Sequence, residues 1–104
     1  LNNFRLTFRS KYRAADIEPK KNFKVVGGLF EISKSDEKKL DIYEDYPILY
    51  KKYYFYYYGK KVMTYTMVNK TTFKYPTERY LNIVKKGYND CKLDKKCLLE
   101  ALRN

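Results

Sequence analysis

Residues 33–47 read Ser33-Lys34-Ser35-Asp36-Glu37-Lys38-Lys39-Leu40-Asp41-Ile42-Tyr43-Glu44-Asp45-Tyr46-Pro47, and the fold turns on this stretch. Ser33 followed by Asp36 is the signature of a helix start. The hydroxyl accepts from a free amide of the first turn, and acids there complement the helix dipole. Leu40, Tyr43 and Glu44 recur at i, i+3, i+4 and so share a face. Pro47 forbids continuation, and Tyr46 before it is driven to an extended conformation. Glu44 therefore falls at the helix exit, where the macrodipole disfavours a carboxylate. Local inconsistencies of this kind concentrate at functional sites.

The sequence on either side alternates. Phe4, Leu6 and Phe8 interleave with Arg5, Thr7 and Arg9, the period of a half-buried strand. Lys11 to Asn22 is charged and interrupted by Pro19, which predicts a loop. Phe23 to Ile32 is predicted as a second strand, with Val26, Phe30 and Ile32 on one face and Val25 and Leu29 on the other. Its adjacent Gly27 and Gly28 predict a bulge, a bend or a close backbone approach. Beyond the helix, Leu49–Tyr58 and Val62–Val68 read as strands joined by a tight turn at Gly59-Lys60. Asn69–Tyr75 reads as loop. Pro76 suits the first position of a helix bearing Tyr80, Ile83 and Val84, stopped by Gly87. Asp94 is placed to cap a last helix carrying Leu98, Ala101 and Leu102. Strands, a short helix, a hairpin and two helices make an α+β fold with a mostly antiparallel sheet, open to curling into a barrel.

Composition bounds the chemistry. A chain of 104 residues with 44% hydrophobic content supports one domain, residues 1–104, with one modest core. No apolar run reaches the roughly eighteen residues of a membrane span, and Leu1 to Arg9 has no signal-peptide pattern. Lys and Arg outnumber Asp and Glu by 23 to 12, a net charge of +11 that favours anionic partners without specifying a fold. The absence of histidine removes histidine bases, Ser-His triads and histidine metal ligands. Cys91 and Cys97 match no zinc spacing, and they are expected as free, half-buried thiols of a reducing, cytoplasmic protein. Asn69-Lys70-Thr71 matches a glycosylation acceptor by chance. No metal, no cofactor and no membrane partner is expected.

Two constellations remain. Glu44 stands among three acids in five residues, flanked by Tyr43, Tyr46 and Tyr50. Partial burial raises a carboxylate's pKa, and a Glu titrating near neutrality can accept a proton and return it in one turnover. The plain alternative is a solvated acidic helix end. The second is Lys51-Lys52-Tyr53-Tyr54-Phe55-Tyr56-Tyr57-Tyr58-Gly59-Lys60-Lys61, where phenols can stack bases and lysines neutralise phosphates. Its plain alternative is a strand with packed inner rings and half-exposed outer ones, in a chain rich in Lys and Tyr throughout.

Taken in order, the motifs resemble the γ-glutamylcyclotransferase-like superfamily. They are Val26-Gly27-Gly28-Leu29-Phe30-Glu31-Ile32, Leu40-Asp41-Ile42-Tyr43-Glu44-Asp45-Tyr46-Pro47, Tyr50, Tyr75-Pro76, Tyr80, Ile83 and Gly87-Tyr88, with Phe4–Phe8 and Ala15–Pro19 upstream. The resemblance spans nearly the whole chain. It implies a small mixed, mostly antiparallel β-barrel with flanking helices around a cavity. It implies cyclisation of a γ-glutamyl amine or γ-glutamyl amino acid to 5-oxoproline, with release of the amine and without metal or nucleotide. It places the general acid/base on Glu44 and substrate contacts on Tyr50 and Tyr80. The family's first strand and its Tyr-Gly-Ser-Asn-type loop, whose amides would grip the glutamyl part, have no counterpart in residues 1–104, so the domain is expected to lack that strand. The rival expectation is a non-enzymatic module that binds nucleic acid or an acidic partner through Lys51, Lys52, Lys60 and Lys61.

Overall fold

A computed structural model describes residues 1–103. Its elements run β1 (Asn2–Arg9), β2 (Ala14–Lys24), α1 (Lys34–Tyr43), β3 (Tyr50–Tyr57), β4 (Lys60–Met67), α2 (Glu78–Asp90) and α3 (Lys96–Leu102). The fold is α+β, as expected. The strands form two separate two-stranded antiparallel sheets, β1–β2 and β3–β4, and among the described residues neither closes into a barrel. The chain divides into two compact units. One comprises residues 1–29 and the chain from Lys70 onward; the other is Phe30–Asn69.

The first unit is built on the β1–β2 hairpin. Phe4, Leu6 and Phe8 lie opposite Pro19, Ile17 and Ala15. Leu6, Phe8 and Ile17 are buried with Leu81 and Tyr88 of α2 and Cys97, Leu98 and Ala101 of α3. The opposite face is polar yet also covered: Thr7 is 1% exposed, Arg9 6% and Asp16 2%. A buried charge must be paired, and here each one is. Asp16 Oδ2 lies 3.1 Å from Arg9 Nε and 2.8 Å from Lys70 Nζ. Arg9 also pairs with Glu18 and donates to the Thr71 carbonyl at 3.0 Å, while Arg5 bonds Glu18 at 2.8 Å.

That network corrects the first reading of Lys11–Asn22, because most of the stretch predicted as loop is strand β2. Its charges deceive the pattern: Asp16 and Glu18 face partners on β1 or the Lys70 loop, and within β2 the exposed run is Pro19 to Asn22. Pro19 is tolerated because each strand of a two-stranded sheet is an edge strand. The predicted strand Phe23–Ile32 is corrected the other way. The ladder ends at Lys24, and residues 25–33 carry no regular structure. Leu29 and Phe30 are 57% and 74% exposed, so their alternation finds no sheet to face.

The second unit places α1 beside hairpin β3–β4. Ser33 Oγ accepts from the Asp36 amide at 3.0 Å, and the Asp36 carboxylate accepts in return from the Ser33 amide, the predicted capping box. The hairpin turn is Tyr58-Gly59, one residue earlier than expected, since Tyr57 pairs with Lys60. Both turn residues have positive φ (48° and 78°), the twist that a two-residue hairpin favours and that Gly59 adopts without strain.

The helix ends also shift. Helix α2 begins at Glu78 behind Thr77, whose hydroxyl accepts from the Tyr80 amide, so Pro76 precedes the cap rather than opening the helix. It then runs through Gly87 to Asp90, because Tyr88 buries its ring one turn beyond Val84 and holds the last turn in place. Ile83 is 60% exposed, and Leu81 takes its expected place in the core. Asp94 bonds the Lys96 amide at 2.9 Å, although the cap position itself is Lys95. Both cysteines are free, Cys91 exposed and Cys97 buried, rather than equally half-buried.

Leu98 is fully buried, so Leu98→Ala is expected to cost about 2–5 kcal/mol in urea or thermal unfolding. Asp16→Ala, which takes from the buried Arg9 guanidinium one of its two carboxylate partners and from Lys70 its carboxylate, is expected to cost about 3–5 kcal/mol.

Candidate functional site

Glu44 occupies the C-cap of α1. Its amide donates to the Leu40 carbonyl at 2.8 Å, and two residues on the Tyr46 amide donates to the Asp41 carbonyl at 2.8 Å. The carboxylate is therefore held at the point where the chain leaves the helix, as the proline rule anticipates. The side chain is half-buried, and loss of hydration raises its pKa above the ordinary glutamate value of 4.5. A proton is thus held more readily here than on a free glutamate, which is the property an acid/base group needs.

The acids around it have different roles. Asp41 accepts from Tyr65 Oη at 2.5 Å on one oxygen and from Lys52 Nζ at 3.0 Å on the other. The phenol above all, with the ammonium, holds its carboxyl below the ordinary aspartate value. Glu37 shares Lys52 at 2.6 Å. Lys52 is 13% exposed at its side chain and lies 4.5 Å from the centre of the Tyr46 ring. Its two carboxylate partners raise its pKa, while burial and the Asp41 carboxylate raise that of Tyr65. Sequence reasoning missed this group. Lys52 stood in a run of apparently equivalent lysines, yet the usable signal was present: Glu37 and Asp41 at i, i+4 present two acids on one face of α1.

Tyr50 is buried at 6% exposure, with its ring edge-on to Tyr65 at 6.3 Å. Tyr80 belongs to the first unit, where its ring meets Phe8 edge-on at 6.2 Å and its hydroxyl accepts from the Ala15 amide at 3.1 Å. Ring and hydroxyl are thus both engaged within the first unit. Two cavities, of about 170 and 430 Å3, lie in the first unit between the β1–β2 hairpin and the α3 region, sharing Phe23, Lys24, Cys97 and Glu100. Glu44, Tyr50 and Tyr80 line neither.

The basic-aromatic strand does not form one platform. Pairing of Tyr54 with Met63 and of Tyr53 with Thr64 puts successive tyrosines on opposite faces. Lys61 covers Tyr54 at 4.5 Å, Tyr58 stands 90% exposed in the turn, and Lys52 is consumed by the two acids. Among the described residues no three His, Cys, Asp or Glu side chains converge as metal ligands, and no helix is long and apolar enough to cross a membrane.

The Lys52 group has a defined pH response. A raised lysine or tyrosine pKa contributes stability that is complete below the ordinary value and lost as pH rises through the raised one; a lowered aspartate pKa contributes stability lost as pH falls through it. With ordinary values of 10.5, 10.0 and 3.8 for Lys52, Tyr65 and Asp41, the α1–hairpin contact is expected to loosen only above about pH 10 or below about pH 4. Glu44 acts in the same sense as Lys52 and Tyr65, opposite to Asp41, but in a more acidic range. Its raised pKa makes stability fall as pH rises from about 4.5 through the raised value, and Glu44→Gln is expected to flatten that limb. Carboxyl NMR titration together with thermal melts at successive pH values checks both, and Tyr65→Phe should move the Asp41 pKa upward.

No family model, no curated protein and no solved structure matches this chain.

Proposed function

We propose that the chain is a γ-glutamylcyclotransferase-like domain in which Glu44 is the general acid/base for closing a γ-glutamyl group to 5-oxoproline. The observation that supports this reading is the state of Glu44: a half-buried carboxyl with a raised pKa, at the exit of a capped helix, in the Leu-Asp-x-Tyr-Glu context that prompted the resemblance. The small mixed barrel, as the finer form of the α+β fold, belongs to the same proposal.

The chemistry needs one carboxylate. Glu44 takes a proton from the substrate α-ammonium, and the free amine attacks its own γ-carbonyl carbon. The new C–N bond closes a five-membered ring. The tetrahedral centre then collapses, the old amide C–N bond breaks, and Glu44 returns the proton to the departing nitrogen. The ammonium gives up two protons in all; the ring nitrogen keeps one, and the amine leaves protonated. Because nucleophile and carbonyl share one molecule, holding them folded contributes several kcal/mol to the rate. Tyr50 is the tyrosine of this reading that shares a unit with Glu44. No metal, nucleotide or other cofactor is called for, and the leaving amine is set by the surroundings of the site rather than by the reaction itself.

Incubation of the purified chain with a panel of γ-glutamyl amino acids and γ-glutamyl amines is expected to release 5-oxoproline. Glu44→Gln should lower the rate by about 10²-fold or more without lowering the melting temperature. Turnover of the variant at the wild-type rate, or no 5-oxoproline from any member of the panel, overturns the proposal.

A further inference from the structure

Helix α1 buries none of its residues. Leu40 is 37% exposed, Ile42 83% and Tyr43 84%, so apolar packing does not hold this helix. What holds it is polar and concentrated at one spot. Glu37 and Asp41 stand one turn apart on one face, and the ammonium of Lys52 on β3 bridges them at 2.6 and 3.0 Å. Directly across the ladder from Lys52 is Tyr65 on β4. Its hydroxyl takes the second Asp41 oxygen at 2.5 Å. Both oxygens of Asp41 are thereby engaged from neighbouring strands.

The same residue governs the chain beyond the helix. The Asp41 carbonyl accepts the Tyr46 amide at 2.8 Å, and the Tyr46 ring lies against the Lys52 ammonium at 4.5 Å. Glu44 is thus bracketed three residues before by Asp41 and two residues after by Tyr46, and both brackets rest on Lys52. Lys51, Lys60 and Lys61 are exposed at their positions and make no such bridge; Lys60 comes only to 4.0 Å of Glu31.

We infer that Lys52, with Tyr65 as the second holder of Asp41, is the positioning residue for Glu44, fixing the helix exit so that the carboxyl stays half-buried at one place. This rests on the assignment of Glu44 as the acid/base. Lys52 does not touch Glu44; it acts through Asp41 and Tyr46. A surface ion pair would do little for stability. A single cation engaging two carboxylates and a ring, with a phenol completing the set, instead fixes the geometry of the turn. Displacing a catalytic group by about 1 Å can cost about 10²-fold in rate.

The test uses the full chain and four variants: Lys52→Met, Lys52→Arg, Tyr65→Phe and, as control, Lys51→Met. By NMR, Lys52→Met should shift the Glu44 side-chain carboxyl resonance towards that of a hydrated glutamate and speed amide exchange at Glu44 and Tyr46 about tenfold. Lys52→Arg should restore both, Tyr65→Phe should give a smaller change of the same sign, and Lys51→Met should leave both alone. In turnover of the γ-glutamyl panel, Lys52→Met should lower kcat by about 10²-fold while KM changes less than about twofold, with rescue by Lys52→Arg. Unchanged Glu44 and Tyr46 signals in Lys52→Met overturn the inference. Should that variant not fold, unchanged signals in Tyr65→Phe overturn it equally. If the NMR effects appear but the wild-type chain releases no 5-oxoproline, the clamp stands and the cyclisation reading falls.

Discussion

One ammonium group organises the second unit. Lys52 draws Glu37 and Asp41 of α1 onto hairpin β3–β4 and sits against the ring of Tyr46. A helix of ten residues is marginal in isolation, and this one has no buried face to compensate. Its capping box settles where it begins, but only the contact with the hairpin settles where it lies. The position of Glu44 follows from that contact, and so does its partial desolvation. The acidity of Asp41 and the retained proton of Tyr65 are consequences of the same cluster.

The first unit solves a different problem. Its hairpin is covered on both faces, by α2 and α3 packing on Leu6, Phe8 and Ile17, and by the Lys70–Thr71 segment over Arg9 and Asp16. Burying Arg9 and Asp16 is tolerable because guanidinium, carboxylates, ammonium and a backbone carbonyl all meet there. Tyr88 shows the same economy in the apolar core, its hydroxyl donating to the Val26 carbonyl at 3.1 Å and lying 3.1 Å from Cys97 Sγ. Burial and the cysteine contact raise that phenol's pKa, so it remains a donor. Tyr80 is fastened similarly to the Ala15 amide. A phenol so engaged is structural in the first instance.

Much of the candidate site was legible because it depends on local rules. Ser33, Asp36 and Pro47 delimit the helix through capping chemistry and the loss of an amide, so Glu44 at its exit could be found without a structure. Lys52 could not be told from Lys51, Lys60 and Lys61, because their difference is the company each keeps across the ladder. The errors in the fold have the same origin. Asp16 and Glu18 made β2 look like a loop, since a charge paired inside a fold and a charge in water are written with the same letter. Leu29, Phe30 and Ile32 made residues 25–33 look like a strand, although alternation expresses a preference for a sheet face and cannot supply the neighbouring strand.

The sequence by itself therefore determined the α+β class, the helix start at Ser33, the hairpin around Gly59, and the acid at the helix exit. Each of these follows from backbone geometry and hydrogen bonding within a few residues. Only the tertiary structure decided which lysine bridges α1, which charged residues are buried, where the strands end, and that Tyr80 is spent on a backbone amide. Those outcomes depend on groups 11 to 65 residues apart in the chain, whose meeting is set by packing and by the cost of leaving buried charge unpaired.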